Sequence, residues 1–95
     1  GPLFYRLRFK LLIINFKAFS GCDKLSTVSL SISLTTIESQ AFYNCEALET
    51  IDLPDQISSI GNGAFWGCTS LKSVTIPNSL SSIEDYVFWA AVLFL

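Results

Sequence analysis

The sequence predicts a mostly β solenoid of stacked coils, with parallel strands on one face and short helical turns and loops opposite. Two observations predict it. Apolar residues recur every 23 positions without any insertion, and each recurrence lies in the same local pattern of residue types. A period of roughly 20–50 residues is typical of proteins in which each unit buries its apolar side chains against its neighbours.

The clearest recurrence is a small apolar residue followed by Phe. It occurs at Ala18-Phe19, Ala41-Phe42, Ala64-Phe65 and Val87-Phe88. Further columns keep the same register: Cys22, Cys45, Cys68 and Ala91; Leu25, Leu48, Leu71 and Phe94; Val28, Ile51 and Val74; Leu30, Leu53 and Ile76; Leu34, Ile57 and Leu80; Ile37, Ile60 and Ile83. The register divides one repeat domain, residues 1–95, into a partial repeat 1–17, repeats 18–40, 41–63 and 64–86, and a truncated repeat 87–95.

Each full coil is expected to contain a short strand. Residues 28–30, 51–53 and 74–76 alternate apolar and polar side chains and include β-branched residues, which is typical of a strand with one face inward. Pro54 and Pro77 follow two of these strands, and Pro suits a strand end because it lacks an N–H. An extended stretch rich in Ser and Thr then forms a second buried edge.

A single helical turn is expected next in each coil. N-capping residue types recur in one column, and types that tolerate left-handed backbone stand five positions later. The two columns are Ser39, Asn62 and Asp85, and then Gly21, Asn44 and Gly67. A helical turn that carries Ala and Phe fits between them, for example over residues 40–43.

Composition excludes several functions. The chain has no His, so a His-dependent nucleophile cannot be assembled from it, and no Gly-x-Ser-x-Gly motif is present. Residues 1–24 carry five basic and one acidic side chain, whereas the rest carries one basic and seven acidic ones. This asymmetry lacks the aromatic-interleaved basic patch of nucleic-acid-binding proteins. The longest uncharged apolar run, residues 87–95, is too short to span a bilayer as a helix.

One unit resembles a known repeat. Residues 48–68, LETIDLPDQISSIGNGAFWGC, are similar to the BspA-like leucine-rich repeat, whose unit reads approximately LxxLxIPxxVxxIGxxAFxxC. The resemblance extends over residues 7–91. It departs at Glu38 and Glu84, which stand where the repeat has Gly, so that position is not expected to require a positive φ. The resemblance implies a leucine-rich-repeat solenoid in a secreted or surface-displayed protein that binds extracellular matrix proteins or host cells.

The three cysteines are expected to be buried free thiols. Cys22, Cys45 and Cys68 lie one per coil, and no Cys-x-x-Cys pair suggests zinc. Their side chains should point in parallel, which disfavours a disulfide between coils, and Ala91 in the same column indicates a small buried group. No metal and no cofactor are expected.

The outward positions of the strands are the leading candidates for ligand binding. A rigid polar ladder suits recognition, although a solvated face without a partner is an equally weighted alternative. The ladder consists of Arg6, Ser29, Asp52 and Thr75, flanked by Phe4, Thr27, Thr50 and Ser73.

A second candidate is the aromatic column of Tyr43, Trp66 and Trp89, which adjoins the Phe column. These rings should point partly outward. They either contact a partner, or pack against one another or against flanking sequence.

Three functions compete. The first is a non-catalytic adhesion module of a cell-surface or secreted protein that binds protein ligands through the strand face. The second is an intracellular interaction scaffold, because reduced thiols also suit a cytosol. The third is a structural spacer whose uncapped ends self-associate.

Overall fold

The computed structural model describes residues 3–6, 12–80 and 82–91, with side chains for the latter two ranges. Its six strands form two parallel three-stranded sheets, ordered β1-β3-β5 and β2-β4-β6. The strands are β1 (Leu3–Arg6), β2 (Ile13–Ile14), β3 (Leu25–Ser29), β4 (Thr36–Ile37), β5 (Thr50–Asp52) and β6 (Ser59–Ile60). Consecutive strands of one sheet come from consecutive coils, so the chain winds as a solenoid.

Strand register confirms the period of the sequence. In the first sheet Thr27 pairs with Thr50, and in the second sheet Ile37 pairs with Ile60. Each pair is separated by one full repeat. Coils of one length therefore place equivalent residues directly over one another, as parallel pairing requires.

The Phe column forms the centre of the core. Successive rings of Phe19, Phe42, Phe65 and Phe88 have centroids 5.2, 5.3 and 5.6 Å apart, and their planes lie within 8° of parallel. Separations in this range are typical of offset-stacked rings. Phe42 and Phe65 are fully buried. The predicted inward column is confirmed, and no buried side-chain polar atom among the described residues lacks a hydrogen bond.

Side-chain hydroxyls extend the second sheet and explain its Ser/Thr-rich stretch. Thr35 Oγ1 donates to the carbonyl of Leu12, and Ser58 Oγ donates to the carbonyl of Thr35, each at 3.2 Å. Ser79 Oγ donates in the same way to the carbonyl of Ile57. Each hydroxyl thus reaches one coil back, which adds a side-chain bond where the two-residue strands are too short to hold the coils together alone.

The expected helical turn is wrong. The described residues contain no helix, and Gln40, inside the expected turn, has a left-handed φ of 56°. The N–H of Phe42 donates to the carbonyl of Ala64 at 2.8 Å, and that of Asn44 donates to the carbonyl of Trp66 at 2.7 Å. A one-turn helix would leave such N–H groups without partners, whereas here the next coil accepts them.

The N-capping role expected of Ser39, Asn62 and Asp85 therefore does not arise. The left-handed backbone expected five positions after the capping column is confirmed, with φ of 76° at Gly21, 57° at Asn44 and 79° at Gly67. Left-handed residues turn the chain sharply enough for alternate N–H groups to point along the solenoid axis.

The third expected strand is also wrong. Around residues 74–76 the described chain forms only one isolated bridge, between Thr50 and Ser73. Two residues of the inward columns are exposed there, Ile76 to 40% and Ile83 to 44%. No full coil of described residues packs on the outer side of this segment. On that side, therefore, no described residue pairs with its backbone or covers its apolar side chains.

Candidate interaction surfaces

The strand face carries a continuous row of hydroxyls. Thr27 in β3 pairs with Thr50 in β5, and Thr50 bridges to Ser73 in the next coil. Thr50 and Ser73 are exposed, whereas Thr27 is half-buried. The backbone of Phe4 continues the row through its pairing with Thr27, although the Phe4 side chain lies outside the described residues.

A second row runs beside the first. Ser29 pairs with Asp52, and the backbone of Arg6 pairs with Ser29, while the Arg6 side chain lies outside the described residues. Asp52 is exposed and Ser29 is half-buried. Thr75 is exposed but stands beyond the last bridge, so it does not share the paired backbone that orients the other candidates.

An ion pair crosses this face, and the sequence interpretation missed it. Lys72 Nζ lies 2.9 Å from Glu49 Oε1, with the side chains 64% and 48% exposed respectively. Opposite charges one repeat apart were the signal that could have revealed it. Such an exposed pair contributes only about 0–1 kcal/mol to stability, so its main effect is to present a fixed pattern of charge beside the hydroxyl row.

The turns present a second surface, the aromatic cluster, formed by Tyr43, Trp66, Tyr86 and Trp89. The ring of Trp66 lies 5.9 Å from Tyr43, 5.3 Å from Tyr86 and 6.0 Å from Trp89, centroid to centroid. Tyr86 and Trp89 meet edge to face at 5.5 Å and are 51% and 55% exposed. The predicted aromatic residues therefore pack against one another and still reach solvent.

Tyr86 is a member of this cluster that the sequence interpretation missed. It occupies the same column as Gly63, and both have left-handed backbone, with φ of 61° and 65°. A Cβ at Gly63 would lie 3.3 Å from Trp66 Cε3, tighter than ordinary contact, so the glycine leaves room for the indole. The sequence signal that could have revealed Tyr86 was an aromatic residue in a column otherwise occupied by Gly63 and other non-aromatic turn residues.

The thiols hold the coils together at the back of the core. Cys45 Sγ donates to the carbonyl of Phe19, and Cys68 Sγ donates to that of Phe42, each at 3.1 Å. Both are buried, but Cys22 is half-buried, which differs from the expected burial. Among the described residues no carbonyl one coil back accepts from Cys22, so its sulfur is less enclosed.

Two of the three thiols, those of Cys22 and Cys68, are held in their protonated form, whereas hydrogen bonding with the Cys68 thiol lowers the pKa of Cys45. The neighbouring thiol of Cys45, together with burial, holds the pKa of Cys68 far above its usual range. Burial also raises the pKa of Cys22, with smaller contributions from Cys45 and Asp23. Nucleophilic chemistry requires the thiolate, so the raised pKa values disfavour such chemistry at Cys22 and Cys68.

An open groove of about 370 Å³ lies between the second sheet and the turns. Its lining includes a single carboxylate, that of Glu38, whose Oε1 accepts a hydrogen bond from the Phe16 N–H at 2.9 Å. Gly61 also lines it, and a Cβ there would lie 2.4 Å from the backbone nitrogen of Ser39. The φ of Gly61 is not positive, as predicted for this column. Glycine is therefore required here by the close approach of Ser39 and not by an unusual backbone conformation.

The described residues contain neither a candidate metal site nor a helix that could span a membrane. Within them, no three His, Cys, Asp or Glu side chains stand close enough together to hold a metal ion. The same part of the chain contains no helix with the length and apolarity needed to cross a membrane.

Parallel strands stacked at a fixed repeat, with an inward apolar column in every coil, define a leucine-rich-repeat solenoid. The family model described as BspA type leucine rich repeat region matches residues 5–93 in six copies, and the chain belongs to this family. Leucine-rich repeats are in general not catalytic domains.

The chain is also similar to a solved structure. A leucine-rich repeat protein from Bacteroides ovatus, known from its crystal structure, is 32% identical over 97% of this chain, with a TM-score of 0.90. This chain covers 26% of that protein, about a quarter of its length. No curated protein matches.

Proposed function

We propose that the chain is a protein-binding module that contacts its ligand through the strand face. The observation that carries this proposal is the register of the first sheet, which holds the hydroxyls of Thr27, Thr50 and Ser73 in one row beside Asp52. Because paired backbone fixes their spacing, these groups lose little conformational freedom when they bind a partner.

The chemistry of this face favours a polar protein surface. Exposed hydroxyls both donate and accept, Asp52 accepts only, and the Glu49–Lys72 ion pair offers both charges within a short distance. A face of this kind recognises hydrogen-bonding patterns more than apolar shape. A repeat protein can extend such a face over several coils.

The ligand class we propose is an extracellular matrix or host cell-surface protein, with the module itself secreted or displayed at the cell surface. The support is the membership of the BspA-type family together with the exposed ladder. A catalytic role is not proposed, because leucine-rich repeats are in general not catalytic domains.

Binding to a panel of immobilised matrix proteins tests this function. The double variant Thr50→Ala, Asp52→Ala removes the centre of the ladder, and we expect at least about a tenfold loss of affinity if these are central contacts. The matched control is Asp55→Ala with Thr69→Ala, at exposed positions outside the ladder. Equal binding by both variants would show that the strand face is not the binding surface.

Location separates adhesion from an intracellular scaffold. We expect an antibody against the repeat to label intact cells that express the full gene. Labelling that requires permeabilised cells would support the scaffold instead.

A second candidate is self-association, and one observation favours it. The N–H groups of Tyr86, Phe88 and Ala90 have no acceptor among the described residues, whereas the equivalent groups of the previous coil donate to Asp85, Val87 and Trp89. Unpaired backbone of this kind pairs readily with another chain. Light scattering over a concentration series should then show a rising mass, and a monomer at every concentration would rule this candidate out.

A further inference from the structure

We propose that the aromatic cluster binds cationic side chains on a Lys- or Arg-rich segment of a partner protein. This goes beyond the proposed function, because the cluster belongs to the turns and not to the strand face. Two features of the described residues support it: exposed ring faces and unpaired carboxylates beside them.

The rings leave faces available. Tyr86 and Trp89 are 51% and 55% exposed, and their planes meet at 80°. In an edge-to-face pair, the ring that offers its edge keeps both of its own faces uncovered by its partner. Trp66 lies against both rings and holds them in place. A cation within about 6 Å of such a face is attracted by the ring quadrupole, most strongly by Trp.

Charge favours a cationic partner over a neutral one. Glu84 and Asp85 directly precede Tyr86, are exposed, and form no ion pair with any described residue. Residues 25–95 carry seven acidic side chains and one basic one, and that one, Lys72, is already paired with Glu49. The field over this end of the solenoid therefore attracts positive charge.

The described residues supply no cation to the cluster. No described Lys lies against the cluster, although the chain already shows this kind of contact elsewhere: Lys17 Nζ stands 5.3 Å from the centroid of the Phe16 ring. That pair lies at the opposite end of the turn face, in the first described coil.

Tryptophan fluorescence reports directly on the proposed site. The chain contains two Trp residues, and both belong to the aromatic cluster. A short peptide that alternates arginine and glycine serves as the probe, and the same peptide with citrulline in place of arginine is the neutral control. We expect saturable fluorescence changes with the arginine peptide only, and weaker binding as sodium chloride is raised.

Variants separate the cluster from general charge attraction. Trp89→Leu should weaken binding about two- to fivefold, as expected for one cation–π contact. Glu84→Gln with Asp85→Asn should weaken it by a similar factor. The control pair Asp23→Asn with Asp55→Asn removes the same charge from exposed positions outside the aromatic cluster and the strand-face ladder, and it should leave the affinity within experimental error of the wild type. Circular dichroism of each variant checks that the fold is retained.

Three results would overturn the proposal. Equal binding of the citrulline peptide would remove the need for a cation. Equal weakening by both carboxylate pairs would assign the binding to net charge instead of the cluster. Saturable binding of a neutral glucose oligomer without any response to the arginine peptide would make the surface a carbohydrate site. Because these variants leave Thr50 unchanged, their failure is separable from failure of the strand-face proposal.

Discussion

The second and the third full coils present the same columns in different environments. Ile60 is 3% exposed, whereas Ile83, one repeat later in the same column, is 44% exposed. Ile51 lies in β5 and is buried, but its equivalent Val74 is half-buried and lies in no strand. Residue type barely changes between the coils, so the difference comes from the neighbours that each coil has.

This comparison shows that the burial of a side chain in a solenoid depends on whether coils lie on both sides of it. A coil with neighbours on both sides has its apolar column closed and its backbone paired, while a coil with one described neighbour keeps an open side. Matched positions in different environments should therefore respond unequally, to substitution in three comparisons and to chemical labelling in one, from the largest expected effect to the smallest.

Removing a ring from the middle of the stack should cost most. Phe42→Ala should lower the free energy of unfolding by about 3–5 kcal/mol, because Phe42 is fully buried between two rings. Phe88→Ala should cost less than half as much, since Phe88 is only partly buried. Urea unfolding measures both, with Phe42→Leu as a milder variant if the first fails to fold. Equal losses would contradict the proposed dependence on neighbours.

The second-largest effect is expected in the alkylation rates of the thiols. Alkylation of Cys22 should be at least about a hundredfold faster than that of Cys68, because Cys68 reacts only when the structure opens. The raised pKa of Cys22 predicts that even its rate stays below that of an unfolded chain and increases as the pH rises towards that pKa, since more thiolate forms. Mass spectrometry after timed labelling gives the rates, and labelling in denaturant should make all three equal. Similar rates in the folded protein would contradict the enclosed column.

Replacing either of two left-handed glycines by alanine should lower the stability by different amounts. Gly67→Ala should cost about 2 kcal/mol or more, since the new Cβ meets Asn44 Oδ1 and also adopts left-handed backbone. Gly21→Ala should cost only about 1 kcal/mol, because its Cβ would point into open space. Thermal unfolding measures both. Adding Asn44→Gly to Gly67→Ala should recover the difference, and no recovery would show that the Asn44 contact is unimportant.

The smallest effect is expected in the last coil. Ala90 has a left-handed φ of 62°, so Ala90→Gly should stabilise the protein by about 0.5–1 kcal/mol. Ala18→Gly, at an exposed Ala without positive φ, should destabilise it by a similar amount. Differential scanning calorimetry compares the two, and a loss of stability in both would mean that residue 90 is not left-handed in solution.

Much of the fold could be predicted because an inward residue has the same role in every coil. Phe42, Leu48 and Ile57, in three of the predicted inward columns, are buried as expected. Of the strand-face candidates, the pairing of Thr27 with Thr50 and of Ser29 with Asp52 also agrees with the predicted ladder. The expected helical turn failed because local capping signals at Ser39 could not reveal that the following N–H groups pair with the next coil.

The candidate sites were less predictable. Tyr86 joins Trp66 and Trp89 through space, and no local pattern distinguishes it from the turn residues in its column. Glu49 and Lys72 form an ion pair because adjacent coils bring positions one repeat apart into contact.

By itself, the sequence determined the repeat length, the inward columns and the left-handed backbone at Gly21, Asn44 and Gly67, because these depend on residue type at regular spacing. Tertiary structure alone decided which equivalent residues are buried, where the turn N–H groups find acceptors, and how the aromatic rings meet. Those properties depend on what lies one coil above and below, and spacing along the chain does not encode whether that neighbour is in place.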